Sequence, residues 1–289
     1  MAKRLLDLFR HSIGGAAPRP FNSIDATYCR ARGAPVLAES NPGIRVVPGF
    51  VDTEEASELV ECAMLLKASH GFVASEAQRV LALGGGAQQA DLGGLTVQAE
   101  RVTGRPELPH QVVAPWKYGG EFQLKAVPQP LLQLAEKIVG KNGAFGKLDL
   151  SSLRDITINY RQSSTFLLDP HCDPPSDGNN IFILGLLSDV VLTFTPPTDG
   201  SVPLPPGCKQ RTEAGAIALK SWTDADIDVL LRQQALVHFT GAARHPWRHA
   251  IRTGVAVGPP YNGICDWHGD INTLVRRQPQ RVSIVLAFQ

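Results

Sequence analysis

The chain has 289 residues, 43% hydrophobic and 19% charged, which is enough for one large domain with a substantial core and too apolar for a disordered segment. Lys and Arg number 28 against 27 Asp and Glu, a net charge of +1. That excludes a histone-like or strand-coating protein held by bulk charge, so any nucleic-acid contact needs a local patch, for which Lys117, Lys125, Lys137, Lys141 and Lys147 are the candidates.

The apolar runs fall short of the roughly 18–20 residues that cross a bilayer. Five scattered cysteines with no Cys-x-x-Cys pair argue against a disulfide framework or a thiolate zinc site. A soluble monomer of a reducing compartment is expected, in the cytoplasm or nucleus. The basic first 32 residues make a mitochondrial address the alternative, although Asp7 and Asp25 spoil that pattern.

Residues 1–40 read as a partly flexible extension. Ile44, Val46 and Val47 form a short strand that feeds a helix at Asp52-Thr53-Glu54-Glu55, where Asp52 caps the helix and Glu55 returns the bond. Ala56, Leu59, Val60, Ala63 and Leu66 give that helix one apolar face. Glycines at 84–86, 93 and 94 open a polar, Pro-containing excursion that reaches about Phe122. A second helix starts near Pro130, turns Leu131, Leu134, Ala135 and Ile138 inward, and stops at Gly140. From residue 151 the runs become short and strand-like, at 156–160, 166–168, 181–187, 190–194, 216–219, 235–239 and 282–288. Helices first and many turn-separated strands afterwards predict an α+β fold whose second half is an antiparallel double-sheet barrel.

In Asp169-Pro170-His171-Cys172-Asp173, alternation along an extended segment turns His171 and Asp173 to one face, where both can bind one metal ion. His238, His245, His249 and His268 compete to be a third ligand. His238 lies within an apolar strand and His245 precedes a proline, so His249, which enters a new short strand, is the best candidate. Two imidazoles and a carboxylate on one side of a metal make the facial triad of non-haem Fe(II) oxygenases. A zinc hydrolase ranks below it, since there is no His-Glu-x-x-His helix and no adjacent general base. On the last strand Arg281 shares the small-residue face with Ser283, Val285 and Ala287, as expected of a cation that clamps a dicarboxylate bidentately.

The order His171-x-Asp173, His249, Arg281 on a double-sheet barrel, behind the strand-helix unit at 48–52, resembles the AlkB-type Fe(II)/2-oxoglutarate dioxygenases. The runs at 169–173, 186–192 and 241–251, with Tyr28-Cys29-Arg30 near the start, look most like the homologue-four subgroup. The resemblance implies a single dioxygenase domain over 41–289, with helical support and a substrate lid at 41–150 and a jelly-roll (double-stranded β-helix) catalytic core at 151–289. It implies Fe(II) on His171, Asp173 and His249, and 2-oxoglutarate and dioxygen as co-substrates. It assigns Arg281 to the far carboxylate of 2-oxoglutarate, with Asn159 and Tyr160 also holding that acid. The lid aromatics Trp116, Tyr118 and Phe122 would meet the substrate, a methylated nucleic-acid base such as N6-methyladenine or a methylated protein lysine, for oxidative demethylation.

Three departures stand out. Ala287 occupies the place of the family's second Arg, the subgroup's Cys-rich beginning is absent, and the stretch between His249 and Arg281 reads as an inserted surface loop. They motivate the alternative of a jelly-roll protein with little or no turnover that serves as an interaction module.

Overall fold

The computed structural model describes residues 29–31, 34–36, 40–70, 72–74, 88–92, 95–99, 110–112, 114–116, 122–140, 145–164, 166–197, 225–252, 254–257 and 263–289. The glycines at 84–86, 93 and 94 and the strand expected at 216–219 lie outside the described residues. In chain order the elements are β1 (Cys29–Ala31), β2 (Ala34–Pro35), β3 (Ile44–Val47), α1 (Thr53–His70), β4 (Phe72–Ala74), β5 (Gln88–Leu92), β6 (Leu95–Ala99), β7 (His110–Val112) and α2 (Gln129–Val139). There follow β8 (Leu153–Arg161), β9 (Leu168–His171), β10 (Asn180–Leu186), β11 (Val190–Thr195), β12 (Ile227–Leu231), β13 (Leu236–Phe239), the one-turn α3 (Gly241–Arg244), β14 (Arg248–Ile251), β15 (Val255–Val257), β16 (Gly263–His268), β17 (Asp270–Arg276) and β18 (Arg281–Phe288).

A seven-stranded sheet runs β3-β13-β10-β18-β8-β7-β4, and a six-stranded sheet runs β2-β1-β12-β11-β14-β9. The chain crosses between them as it goes. The strands β8, β10, β13 and β18 lie in the larger sheet, β9, β11, β12 and β14 in the smaller, and their ladders are antiparallel. This is the double-stranded β-helix of an α+β protein. The first part of the chain contributes more than helices, because β1 and β2 extend the smaller sheet while β3, β4 and β7 extend the larger.

The larger sheet is buried on both faces. Phe182, Leu184, Ile284 and Leu286 pack under the two helices, against Ala56, Leu59, Leu131 and Ile138 among others. Ile181, Ile183, Val237 and Phe239 pack inward against Leu192, Phe194 and Val229 of the smaller sheet. Two-sided burial is why β10 reads as an unbroken apolar run rather than an alternating one. Helix α1 starts on the expected capping box, with the Glu55 amide donating to Oδ1 of Asp52 (2.9 Å) and the Asp52 amide donating to Oε2 of Glu55 (2.8 Å). Glu55 also accepts from Nζ of Lys137 (2.6 Å), tying α1 to α2. Among the described residues no helix is long and apolar enough to cross a membrane.

Two expectations are corrected. The strand near 166–168 begins at Leu168 and carries on to His171, where it pairs with β14. The stretch between β14 and β18, expected to be a surface loop, includes β15, β16 and β17 as a third antiparallel sheet. Asp266 of β16 anchors it by accepting from the Val191 amide (3.0 Å) and from the Arg277 guanidinium.

His238, set aside as a ligand, is a core imidazole. It stacks on Phe182 with ring centroids 4.4 Å apart, and its Nε2–H donates to Oδ1 of Asn180 (3.1 Å). Burial, and then the nearby Arg45 charge, push its pKa down to about 3. Above its ordinary value of about 6.5 the ring is neutral folded or unfolded and contributes no pH dependence. Below it the unfolded chain takes up a proton that the folded chain refuses until pH 3 or so, so stability falls by up to ~1.4 kcal/mol per pH unit in that window. Denaturation midpoints taken at pH 7 and pH 5 should therefore drop more for the wild type than for His238→Gln. Equal drops would refute the assignment.

Candidate metal centre

His171 ends β9 and Asp173 follows two residues later, so the pleat turns both to one side and sends Cys172 to the other, where its Sγ–H donates to the Trp247 carbonyl (3.1 Å). That bond ties the His171 segment to the segment that carries His249. On β14, His249 sits opposite His171 on one side and opposite Phe194 on the other, and directly paired residues share a face. All three side chains therefore point into the space between the sheets. Their ligand atoms lie within 4.8 Å of one another. Nε2 of His171 is 3.5 Å and Nε2 of His249 is 3.8 Å from Oδ1 of Asp173.

A metal held at about 2.1 Å by each donor would set neighbouring donors roughly 3.0–3.4 Å apart, so the two imidazole–carboxylate separations fit with shifts of a few tenths of an ångström. The second carboxylate oxygen of Asp173, Oδ2, is buried and has no hydrogen-bond partner among the described residues, as suits an atom left for a cation. Burial alone would raise the Asp173 carboxyl, but His249 and His171 outweigh it and hold the group down at about 2. Burial pushes His249 down to about 4, against the pull of Asp173. At neutral pH the centre thus offers an ionised carboxylate and a neutral imidazole, the protonation states that metal binding needs. Exposure is graded. His249 is sealed against Phe239 and Phe194, with ring centroids 5.1 and 6.0 Å away, while the side chain of His171 is 37% exposed at the mouth.

Arg281 starts β18 and is buried, with its guanidinium 5.8 Å from the centroid of Phe166. Burial, then Arg161 and Arg277, lower its pKa to about 9, with Asp266 opposing. Asn159 pairs with Ser283 and so shares the inward face with Arg281.

Tyr160 does not join them. It pairs with Val282 on the opposite face, packs into the helix-side core and has Nζ of Lys67 4.0 Å from its ring centroid. Trp116 does not reach the centre either. It is 1% exposed in the same helix-side core, and its indole N–H donates to the Ile156 carbonyl (2.9 Å). Phe122 is half-buried against that core, and Tyr118 lies outside the described residues.

Two arginines escaped notice in the sequence. Arg161, two residues after Asn159, follows the period of two onto the inward face. Arg244 donates to the carbonyls of Gly178 (2.9 Å), Asp173 (2.8 Å) and Pro174 (2.6 Å), which bracket the loop that carries the carboxylate ligand.

No family model matches the chain. Over 131 residues it is 28% identical to the alpha-ketoglutarate-dependent dioxygenase alkB homolog 4 of Mus musculus, a match that covers 43% of this chain and 44% of that protein. The matched stretch thus spans less than half the length of this curated relative. Among solved structures, a chain described as the structure of OsALKBH1 aligns with a TM-score of 0.48 at 13% identity, covering 86% of this chain and 98% of that one. The epimerase SnoN in complex with Fe3+, alpha ketoglutarate and nogalamycin RO aligns at 0.41 and 15%, covering 86% and 79%. The matched stretch, together with the order of the cluster along the chain, makes this protein similar to the AlkB-type Fe/2-oxoglutarate dioxygenases.

Proposed function

We propose that this chain is an Fe(II)/2-oxoglutarate-dependent dioxygenase that carries out oxidative N-demethylation of a methylated nucleic-acid base, such as N6-methyladenine, or of a methyl-lysine in a protein. The observation that carries the reading is the convergence of His171, Asp173 and His249 beside an inward-facing, buried Arg281. Bound at that centre, iron and 2-oxoglutarate supply dioxygen-dependent oxidation of a methyl carbon, with succinate and carbon dioxide as the other products.

The chain's own residues bind, orient and shield. Asp173 contributes the negative charge that holds a dication. His249, backed by Phe194 and Phe239, closes the inner wall to water. His171 stands on the open side, where a substrate methyl arrives. Arg281 takes the far carboxylate of the co-substrate. A methyl oxidised on nitrogen gives a hemiaminal that breaks down to formaldehyde and the demethylated product. With a net charge of +1 the chain suits local contact with its substrate better than extensive clamping of a duplex.

One residue favours the interaction-module alternative. Ala287, where the family has a second Arg, is buried and packed between the sheets. A single assay separates the two readings. Fe(II)-dependent conversion of 2-oxoglutarate to succinate is expected in the wild type and should fall to background in His171→Ala. Absence of both turnover and iron binding in the wild type would establish the module instead.

A further inference from the structure

Val51, Leu59 and Leu134 form the floor of a cavity of about 400 Å³ that opens between α1 and α2. The helices cover the outer face of the larger sheet, so this groove is separate from the metal centre, which lies between the sheets. Its rim is acidic. Lys137 is taken up by Glu55 (2.6 Å), which leaves Glu58 and Glu136, both exposed, as a surplus of negative charge. Glu54 and Glu61 add to it on the exposed side of α1, which carries no Lys or Arg before Lys67. Leu65, a large apolar side chain left exposed, stands seven residues after Glu58 and so continues the same stripe of the helix.

An apolar floor inside an acidic rim suits a basic segment with one apolar side. The chain carries such a segment. Residues 1–28 lie outside the described residues, and their sequence includes Lys3-Arg4-Leu5-Leu6-Asp7-Leu8-Phe9-Arg10. At helical spacing Leu5, Leu6, Leu8 and Phe9 fall on one side, and Lys3, Arg4, Asp7 and Arg10 fall on the other. So short a stretch does not hold a helix alone in water, and a surface that takes its apolar side supplies the missing stabilisation. The segment can reach. The chain from Phe9 to Cys29 of β1 spans up to roughly 65 Å when extended, more than the width of a domain of this size.

We propose that residues 3–10 dock as an amphipathic helix in the α1–α2 groove of their own chain, with Phe9 in the cavity and the basic side chains among the carboxylates of Glu58, Glu61 and Glu136. The contact does not depend on the metal centre or on the reaction proposed for it. It covers the basic segment that made a mitochondrial address the alternative.

The test uses the full chain with p-benzoylphenylalanine in place of Phe9, irradiated and then mapped by mass spectrometry. Links to residues 51–59 or 130–137 are expected, and within single chains when isotopically heavy and light protein are mixed. Glu58→Lys combined with Glu136→Lys changes two side chains that face solvent, and it should cut the yield of those links about threefold or more. Adding Lys3→Glu and Arg4→Glu to that variant should restore the yield. A yield that the reversal leaves unchanged, or that the charge swap fails to restore, overturns the assignment. Links between heavy and light chains overturn it in favour of a second copy as the occupant. Links elsewhere, or none, overturn it and leave the groove to a basic segment of another protein.

Discussion

Replacing Asp173 by Ala should weaken divalent-metal binding by more than ~100-fold and abolish metal-dependent turnover. Removing a group that merely supports a ligand typically costs 10- to 100-fold in metal affinity, and on the proposed reading Asp173 is a ligand itself. It is also the one anion of the cluster, set against two imidazoles whose nitrogens lie 3.5 and 3.8 Å from its Oδ1. The measurement need not involve catalysis. A metal that binds the folded state stabilises it by ~2.7 kcal/mol at a hundred times its Kd, which for a domain of this size is a rise of several degrees in Tm. That rise on adding Mn(II) is expected in the wild type and should be missing in Asp173→Ala at the same concentration. The variant keeps the backbone carbonyl that Arg244 bonds, so the loop should stay in place. An undiminished rise in Asp173→Ala would remove the carboxylate from the ligand set and the facial-triad reading with it.

What could be seen in the sequence followed short-range rules. His171 and Asp173 were identifiable because a period of two puts them on one face, and Cys172 between them does turn away, to the Trp247 carbonyl. The choice of His249 over His238 rested on an apolar strand being a poor place for a ligand, and His238 lies against Phe182. The same period decides Asn159 and Tyr160. Adjacent residues of a strand cannot both face inward, so Asn159 shares the face of Arg281 while Tyr160 turns to the helices.

What stayed hidden depends on partners far away in the chain. The strand β12 was missed because Asp226 and Asp228 interrupt its apolar pattern. Asp228 is nonetheless buried, accepting from Thr193 (2.7 Å), the Gly269 amide (2.9 Å) and Arg252 (2.9 Å). The third sheet was hidden likewise, since Asp266 and Arg277 read as surface charges until each is seen to neutralise the other. Trp116 shows the converse. Its aromatic character suggested a contact surface, but its N–H finds the Ile156 carbonyl in the core.

Arg244→Met is expected to weaken Mn(II) binding by ~10- to 100-fold although Arg244 touches no metal. Its guanidinium, 2% exposed, spans the carbonyls of Asp173, Pro174 and Gly178 and so holds both ends of the loop that follows the ligand pair. The far end of that loop has little room to move. Gly178 has φ +85, and a Cβ there would come within 2.4 Å of the Phe288 carbonyl. A planar five-donor fork can satisfy three diverging carbonyls, whereas methionine can satisfy none and would leave buried acceptors unpaired. Arg244→Lys should fall between the two, since an ammonium carries the charge but not the fork. Some global stability will also be lost, so the decisive quantity is metal affinity measured well below the melting transition of each variant. If the arginine positions Asp173, affinity drops in the order wild type, Lys, Met, and excess Mn(II) restores occupancy of the centre. If Arg244→Met melts earlier but binds Mn(II) as tightly as the wild type, the arginine only braces the fold, and the geometry of the ligand loop must be held by the β9–β14 pairing alone.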